Sequence, residues 1–242
     1  MSYSINRGTF TFNGIDSQDF GVWLKGGGTF NAPARRYTSV AIPGRNGTLT
    51  LDDGAFEEAE HNYEAFIPAN FPANIEGLRG ALLAEPGYHR LEDSYHTDEY
   101  YRAKYMDGLE VSVAPLAVGG SFPLRFRRDP RRFLKSGEAP LIVGAELGDG
   151  PDNPTEYASR PLIKVTGYGT LYVGSYRLTI AQHFTSVYID CENMDCYSGT
   201  ENANPYVTLL GNAFPELPPG YTNVMYSGNI TQVEITPNWW RI

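Results

Sequence analysis

A mainly β protein of two domains is predicted by three observations on this 242-residue chain. Strand-forming aromatics and turn-forming residues are abundant: 17 Tyr and 12 Phe stand beside 26 Gly and 17 Pro. Short apolar runs recur about every 8–12 residues with turn residues between them. A Pro-bounded, arginine-rich segment then divides the chain near its middle. With 41% hydrophobic and 19% charged residues, there is enough apolar content for packed cores and too little charge for disorder.

Taken in order, residues 8–24 read as a strand with Phe10 and Phe12 on one face, a turn at Asn13-Gly14, and a second strand around Val22 and Leu24. Gly26-Gly27-Gly28 breaks the pattern. Residues 35–42 and 47–51 form the strongest hairpin signal, joined by Pro43-Gly44-Arg45-Asn46-Gly47, because Asn-Gly between β-branched runs suits a turn with positive φ. Residues 54–67 have a helical composition, but His61, Tyr63, Ala65 and Ile67 alternate, and a short turn followed by a strand is the preferred reading. The helix is predicted over 74–85, with Asn74 as cap, Glu76 in the first turn, Ile75, Leu78 and Leu82 on one face, and Pro86-Gly87 as stop. Strands return at 88–93, 99–106, 109–116 and 122–126, with Leu109, Val111 and Val113 alternating.

Five arginines fall between positions 125 and 132, followed by a polar run ending at Pro140. This segment sets the domains at 1–130 and 131–242. Its arginines read equally as an interaction patch or as a solvated connector whose stems cover nearby aromatics. In the second half, strands are expected at 161–167, at 170–173 and 176–181 (a hairpin around Gly174-Ser175), at 186–192 with Val187, Ile189 and Cys191 inward, and at 206–211. That spacing describes a β-sandwich. The end, Phe214 to Ile242, reads as a Pro/Gly corner, two short strands joined at Ser227-Gly228-Asn229, and the pair Trp239 and Trp240. Such large aromatics act as a structural closure. Neighbours on a strand face opposite ways, so one tryptophan is expected in the core and the other over the domain joint or a partner surface.

The net charge is −9, and both halves are acidic, which argues against a phosphate-binding surface. No apolar window approaches 18 residues, so no membrane span is expected. Residues 1–12 lack an apolar run, so no secretory signal is expected either. Cys191 and Cys196 have no second Cys/His pair nearby and read as unrelated thiols rather than a disulfide or half a zinc site. His89, Glu92, Asp93, His96, Asp98 and Glu99 are dense, but on a strand His89 and Asp93 face opposite to His96 and Asp98, and no coordinating spacing is present. Asp52-Asp53-Gly54 reads more simply as a turn than as a calcium loop. No nucleophile elbow, P-loop or dinucleotide fingerprint occurs. No catalytic residue, cofactor or metal is expected. A cell-wall-degrading enzyme is the weakest reading, left open only because paired carboxylates need not be close in sequence.

Several segments, in order, carry a further signal. These are Phe12-Asn13-Gly14-Ile15 with Phe20-Gly21-Val22, Pro43 to Gly47, Tyr88, Leu91 and Tyr101-Arg102-Ala103, and Asp129-Pro130-Arg131-Arg132-Phe133. The second half adds Pro161 to Val165, Gly167, Gly169, Ile189-Asp190, Phe214-Pro215, Leu217, Pro219-Gly220 and Ile235 to Trp240. This ordered set, covering most of the chain, resembles the distal tail proteins of bacteriophages with long non-contractile tails. One departure is that the family often has Asn two residues after the last of those glycines, where this chain has Thr222 and then Asn223.

The resemblance implies a structural virion protein at the tail tip, synthesised in the bacterial host cytoplasm. Its N-terminal domain forms a homohexameric ring, and a galectin-like C-terminal sandwich projects outwards. The partners implied are further copies of itself, the tail tube protein, the tail-tip hub protein and a receptor-binding protein, with DNA only passing through the channel. An acidic lumen avoids sticking to phosphate, so Asp52, Asp53, Glu57 and Glu58 are expected to face the opening. The alternative is a carbohydrate-binding module using Tyr168, Tyr172, Tyr176, Tyr221 and Tyr226; the simpler account of these tyrosines is packing at domain or subunit contacts.

Overall fold

The computed structural model describes residues 7–28, 30–113, 119–144 and 149–242. The chain forms two compact units, Met1–Arg132 together with Ile242, and Phe133–Arg241. It is mainly β, with one α-helix among the described residues.

The first unit contains β1 (Phe10–Phe12), β2 (Ile15–Asp16), β3 (Trp23–Lys25), β4 (Arg35–Ala41), β5 (Thr48–Phe56), β6 (Ala59–Ile67), α1 (Phe71–Leu83), β7 (His89–Asp93), β8 (Glu99–Tyr105) and β9 (Ser112–Val113). The long strand β10 (Gly120–Leu134) follows. The main sheet runs β2-β1-β7-β8-β10-β6-β3, with β9 also paired to β10. Asn13 and Gly14, at φ 51° and 77°, make the tight turn between β1 and β2. On β6 the expected alternation holds: Ala59, His61, Tyr63, Ala65 and Ile67 are buried and the polar residues between them exposed. Phe10 and Phe12 meet Phe126 of β10 at ring-centroid distances of 6.0 and 5.1 Å.

The helix buries Phe71, Ile75, Leu78 and Leu82, but it begins three residues before the predicted start. Asn70 precedes it in the left-handed region (φ 53°), and Asn74 lies inside with its amide on the Ala69 carbonyl at 3.3 Å. Pro72 explains the shift, since proline fits the first turn where no amide donor is needed. The arginine-rich segment is also not a solvated connector. Residues 120–128 of β10 pair with 59–67 of β6 in one unbroken ladder, Gly120↔Ile67 to Arg128↔Ala59. Positions 114–116 of the predicted 109–116 strand lie outside the described residues.

The second unit contains β11 (Leu141–Val143), β12 (Asp152–Asn153), β13 (Leu162–Thr166), β14 (Gly169–Val173), β15 (Tyr176–Ile180), β16 (Ser186–Asp190), β17 (Asp195–Ser198) and β18 (Glu201–Asn202). It continues with β19 (Val207–Leu209), β20 (Gly220–Tyr221), β21 (Val224–Gly228), β22 (Gln232–Thr236) and β23 (Trp240–Arg241). Two sheets, β11-β22-β13-β16-β17-β18 and β19-β15-β14-β21, share one apolar core, and β12 pairs β20. β14 and β15 form the predicted hairpin, Val173↔Tyr176 flanking Gly174 and Ser175. β21 and β22 do not form a hairpin: they belong to different sheets, and residues 229–231 carry the chain from one to the other.

Trp239 lies in this core at 4% exposure, its carbonyl accepting from the Leu134 amide at 2.9 Å. Trp240 is half-buried, stacks on Tyr157 (4.5 Å) and donates its indole N–H to the Ala158 carbonyl at 3.0 Å. Cys191 and Cys196 are free, buried thiols. Burial raises both, Cys196 to about 11, so neither is a reactive thiolate.

Candidate functional site

The feature that calls for a partner is the hairpin β4–β5. Among the described residues, these two strands pair only with each other. Every residue from Ala34 to Gly54 is exposed. Gly44 and Gly47, at φ 81° and 82°, supply the positive-φ positions of its turn. Cross-strand partners share a face. The pairs Val40↔Leu49 and Thr38↔Leu51 therefore put Val40, Leu49 and Leu51 on one side, and Ile42 continues that alternation. These side chains are 38–50% exposed. The pairs Tyr37↔Asp52, Ser39↔Thr50 and Ala41↔Thr48 make the other side polar. A lone two-stranded hairpin is marginal in water, and exposed apolar faces of this kind are where proteins commonly make contacts.

The carboxylates Asp52, Asp53, Glu57 and Glu58 lie on and beside this hairpin. Asp52 is ion-paired with Arg35, Glu57 with Arg36 at 3.5 Å, and Glu58 with Lys104 at 2.5 Å while also accepting from Tyr88. The backbone amide of Gly54 and the Arg35 guanidinium hold Asp52 below its ordinary value; Lys104 and Tyr88 do the same for Glu58. Three of the four thus have their charge matched locally, and Asp53 is exposed. Asp52-Asp53-Gly54 is not a turn between elements. It lies inside β5, where the Gly54 amide (φ 70°) bonds the Asp52 carboxylate at 2.9 Å and the pairing with β4 shifts register between Arg35 and Tyr37.

The five tyrosines of the second unit do not converge. Tyr176 and Tyr221 line one cleft of about 250 Å³ with Glu216 and Asn223. Tyr168 lines a different one with His183 and Phe184. Tyr172 meets Arg177 across the strand pair, on the side away from the core. Tyr226 packs on the core, its hydroxyl on the Val143 carbonyl at 3.4 Å.

In the first unit the structure overturns the strand-parity expectation for the acidic and histidine cluster. The chain turns after Asp93 and brings His96 back onto it: Asp93 accepts from the His96 amide at 2.8 Å and meets its Nδ1 at 3.0 Å. Tyr63 donates to the same carboxylate at 2.7 Å, and His61 Nε2 lies 3.4 Å away. In the sequence His61 and Tyr63 appear only as alternating positions of the strand β6; no local pattern links them to a carboxylate about 30 residues later. Burial alone would raise the Asp93 carboxyl, but the His61, Tyr63 and His96 side chains around it outweigh burial and hold Asp93 well below the usual carboxylate range. Burial lowers His61, with Asp93 only partly opposing, so it sits neutral in the core. Among the described residues no group of three His, Cys, Asp or Glu side chains is placed to hold a metal ion.

This arrangement predicts acid sensitivity. An unfolded histidine titrates near 6.5. Below that pH the unfolded chain binds a proton that native His61 does not, so the stability of the first unit falls as pH falls. The limiting slope for one proton is about 1.4 kcal/mol per pH unit. Urea unfolding between pH 7.5 and 5.0 should show this loss, and His61→Gln should flatten it. An unchanged slope in His61→Gln would remove His61 as its source.

No protein-family model matches the chain, and no curated protein matches it. Among solved structures it is similar to the Dit protein of phage SPP1, described as a paradigm of the hub adsorption apparatus in phages that infect Gram-positive bacteria. That match has a TM-score of 0.76 at 13% identity and covers 97% of this chain and 99% of the other. A chain of the phage p2 baseplate in its activated, strontium-bound conformation also aligns, at 8% identity over 98% of both chains, with a TM-score of only 0.49. No helix among the described residues is long and apolar enough to cross a membrane. Along nearly its whole length, the chain has the fold of a phage distal tail protein.

Proposed function

We propose that this protein is a structural, non-enzymatic component of a phage tail tip. In this reading it is a distal tail protein that closes into a homohexameric ring between the tail tube and the tail-tip hub. The observation that carries it is the end-to-end correspondence with the SPP1 Dit fold, spanning both units rather than one common module. The exposed amphipathic hairpin supports self-association physically. A ring needs two unlike, complementary patches on each subunit, and a projecting arm that docks on the next copy is one such patch. Residues 1–130 would build the ring and 131–242 would project from it towards the hub or a receptor-binding protein.

Asp52, Asp53, Glu57 and Glu58 are proposed to border the channel, with Asp53 supplying most of the net charge because the other three are paired. A saccharide-binding role for the second unit has narrower support, the cleft shared by Tyr176 and Tyr221.

Negative-stain electron microscopy of the purified protein, with light scattering, tests the assembly. The expected result is a sixfold ring with six times the 26.8 kDa subunit mass. A strictly monomeric species at high concentration that binds neither tube nor hub protein would sink the reading.

A further inference from the structure

Among the described residues Arg128 is the largest fully buried side chain, at 2% exposure, and it is a cation. Its guanidinium donates to three main-chain carbonyls: Asn31 at 2.8 Å, Pro130 at 3.0 Å and Asp129 at 3.2 Å. One face lies over the Tyr101 ring, 5.1 Å from its centroid. Its Nε is buried without a partner. Among the described residues no carboxylate pairs with it. The two acids that act on it electrostatically are engaged elsewhere, Asp129 with Arg131 at 2.9 Å and Glu99 with Arg132 at 3.3 Å. A buried charge met only by carbonyl dipoles is costly unless a counter-charge completes its shell.

A cavity of about 240 Å³ opens beside it, lined by Arg128, Arg132, His96, Tyr101, Phe30 and Ile242. On its wall Arg132 already donates to Glu99 and to the Ile242 oxygen, so Arg128 is the cation left without a carboxylate, and its planar fork suits an oxyanion. Phe30, 79% exposed and edge-on to His96 at 4.9 Å, gives the mouth an apolar rim. We propose that this cavity is a binding site for a monoanionic carboxylate carrying an apolar stem, with Arg128 as its counter-charge. Asp93, Glu99 and Asp129 nearby disfavour a dianion such as phosphate. The stem matches the aromatic mouth. The carboxylate comes either from a small organic acid or from an acidic side chain of another protein copy. The site lies wholly in the first unit and stands whether or not the chain forms a ring.

Thermal unfolding at pH 7.5 and fixed ionic strength tests it, with butyrate, phosphate or chloride as the added anion. Saturating butyrate should raise the midpoint by about 2–4 °C, while chloride and phosphate should have little effect. Ala32→Glu places a tethered carboxylate at the exposed lining residue Ala32. It should raise the midpoint without added acid and abolish the butyrate response. Arg128→Gln should also abolish the response, and the Ala32→Glu arm decides the matter if Arg128→Gln fails to fold. Equal shifts with all three anions, or a butyrate response that survives in Ala32→Glu, would overturn the site and leave Arg128 as a clamp on the Asn31 carbonyl. Light scattering with and without butyrate separates the sources: an acidic side chain of another copy is displaced and assembly weakens, whereas a free acid leaves assembly unchanged.

Discussion

Replacing Val40, Ile42, Leu49 and Leu51 together with serine should abolish self-association while leaving the subunit's unfolding midpoint nearly unchanged. The four side chains share the apolar face of β4–β5 and are already 38–50% exposed in the isolated chain, so the subunit core loses almost nothing. An interface covering them gains about 1 kcal/mol for each half-exposed aliphatic side chain. Losing about 4 kcal/mol per contact weakens association roughly a thousandfold. Analytical ultracentrifugation over a concentration series reads the first effect, and circular dichroism melts read the second. Substitution of Ser39 and Thr50 on the polar face by asparagine should leave association intact. Rings that persist in the serine variant would show that the hairpin is not the contact. A large fall in its melting temperature would show instead that the hairpin folds against its own subunit.

Much of the fold was legible because strand alternation is a local property. His61, Tyr63, Ala65 and Ile67 predict β6 by themselves, and Ile75, Leu78 and Leu82 predict the buried helix face. What misled was also local. Asn74 has the chemistry of a cap, yet burial of Phe71 and the tolerance of the first turn for Pro72 start the helix earlier. The arginines at 125–132 read equally as an interaction patch or a solvated connector, but Phe122, Leu124 and Phe126 fix the parity of β10, and the same parity turns Arg128 inward. A sequence shows that parity only once the strand is known to continue through Pro130.

The candidate sites were less legible, because each depends on partners distant in sequence. The hairpin itself was visible from Pro43 to Gly47, but its isolation from the main sheet was not. Val40, Leu49 and Leu51 look the same in sequence whether they face a core or water. The Asp93 cluster joins β6, β7 and the turn that follows β7. Parity arguments fail there because the turn, not a strand, sets where His96 points.

Gly169→Ala should destabilise the second unit by about 3–5 kcal/mol, far beyond a usual glycine-to-alanine change. At this corner the chain crosses between the two sheets twice, from β13 to β14 through residues 167–168 and from β21 to β22 through residues 229–231. The two crossings lie backbone against backbone, the Asn229 amide donating to the Tyr168 carbonyl at 2.9 Å. A Cβ on Gly169 would sit 2.1 Å from the Ser227 carbonyl oxygen, and one on Gly167 would sit 2.1 Å from that of Asn229. Both glycines have positive φ, 148° and 99°, so strain adds to the clash. The obstructing atoms are main-chain oxygens within or next to a paired strand, which cannot rotate aside as a side chain would. Two of the three tryptophans, Trp239 and Trp240, belong to this unit, so fluorescence-detected denaturant unfolding reports its midpoint. Gly80→Ala is the control: it lies on the exposed face of α1 with nothing within 4 Å of the added carbon, and should stabilise by about 0.5–1 kcal/mol. If Gly169→Ala unfolds within about 1 kcal/mol of the parent, β14 and β21 do not approach this closely at Gly169, and closure of the sandwich does not depend on that contact.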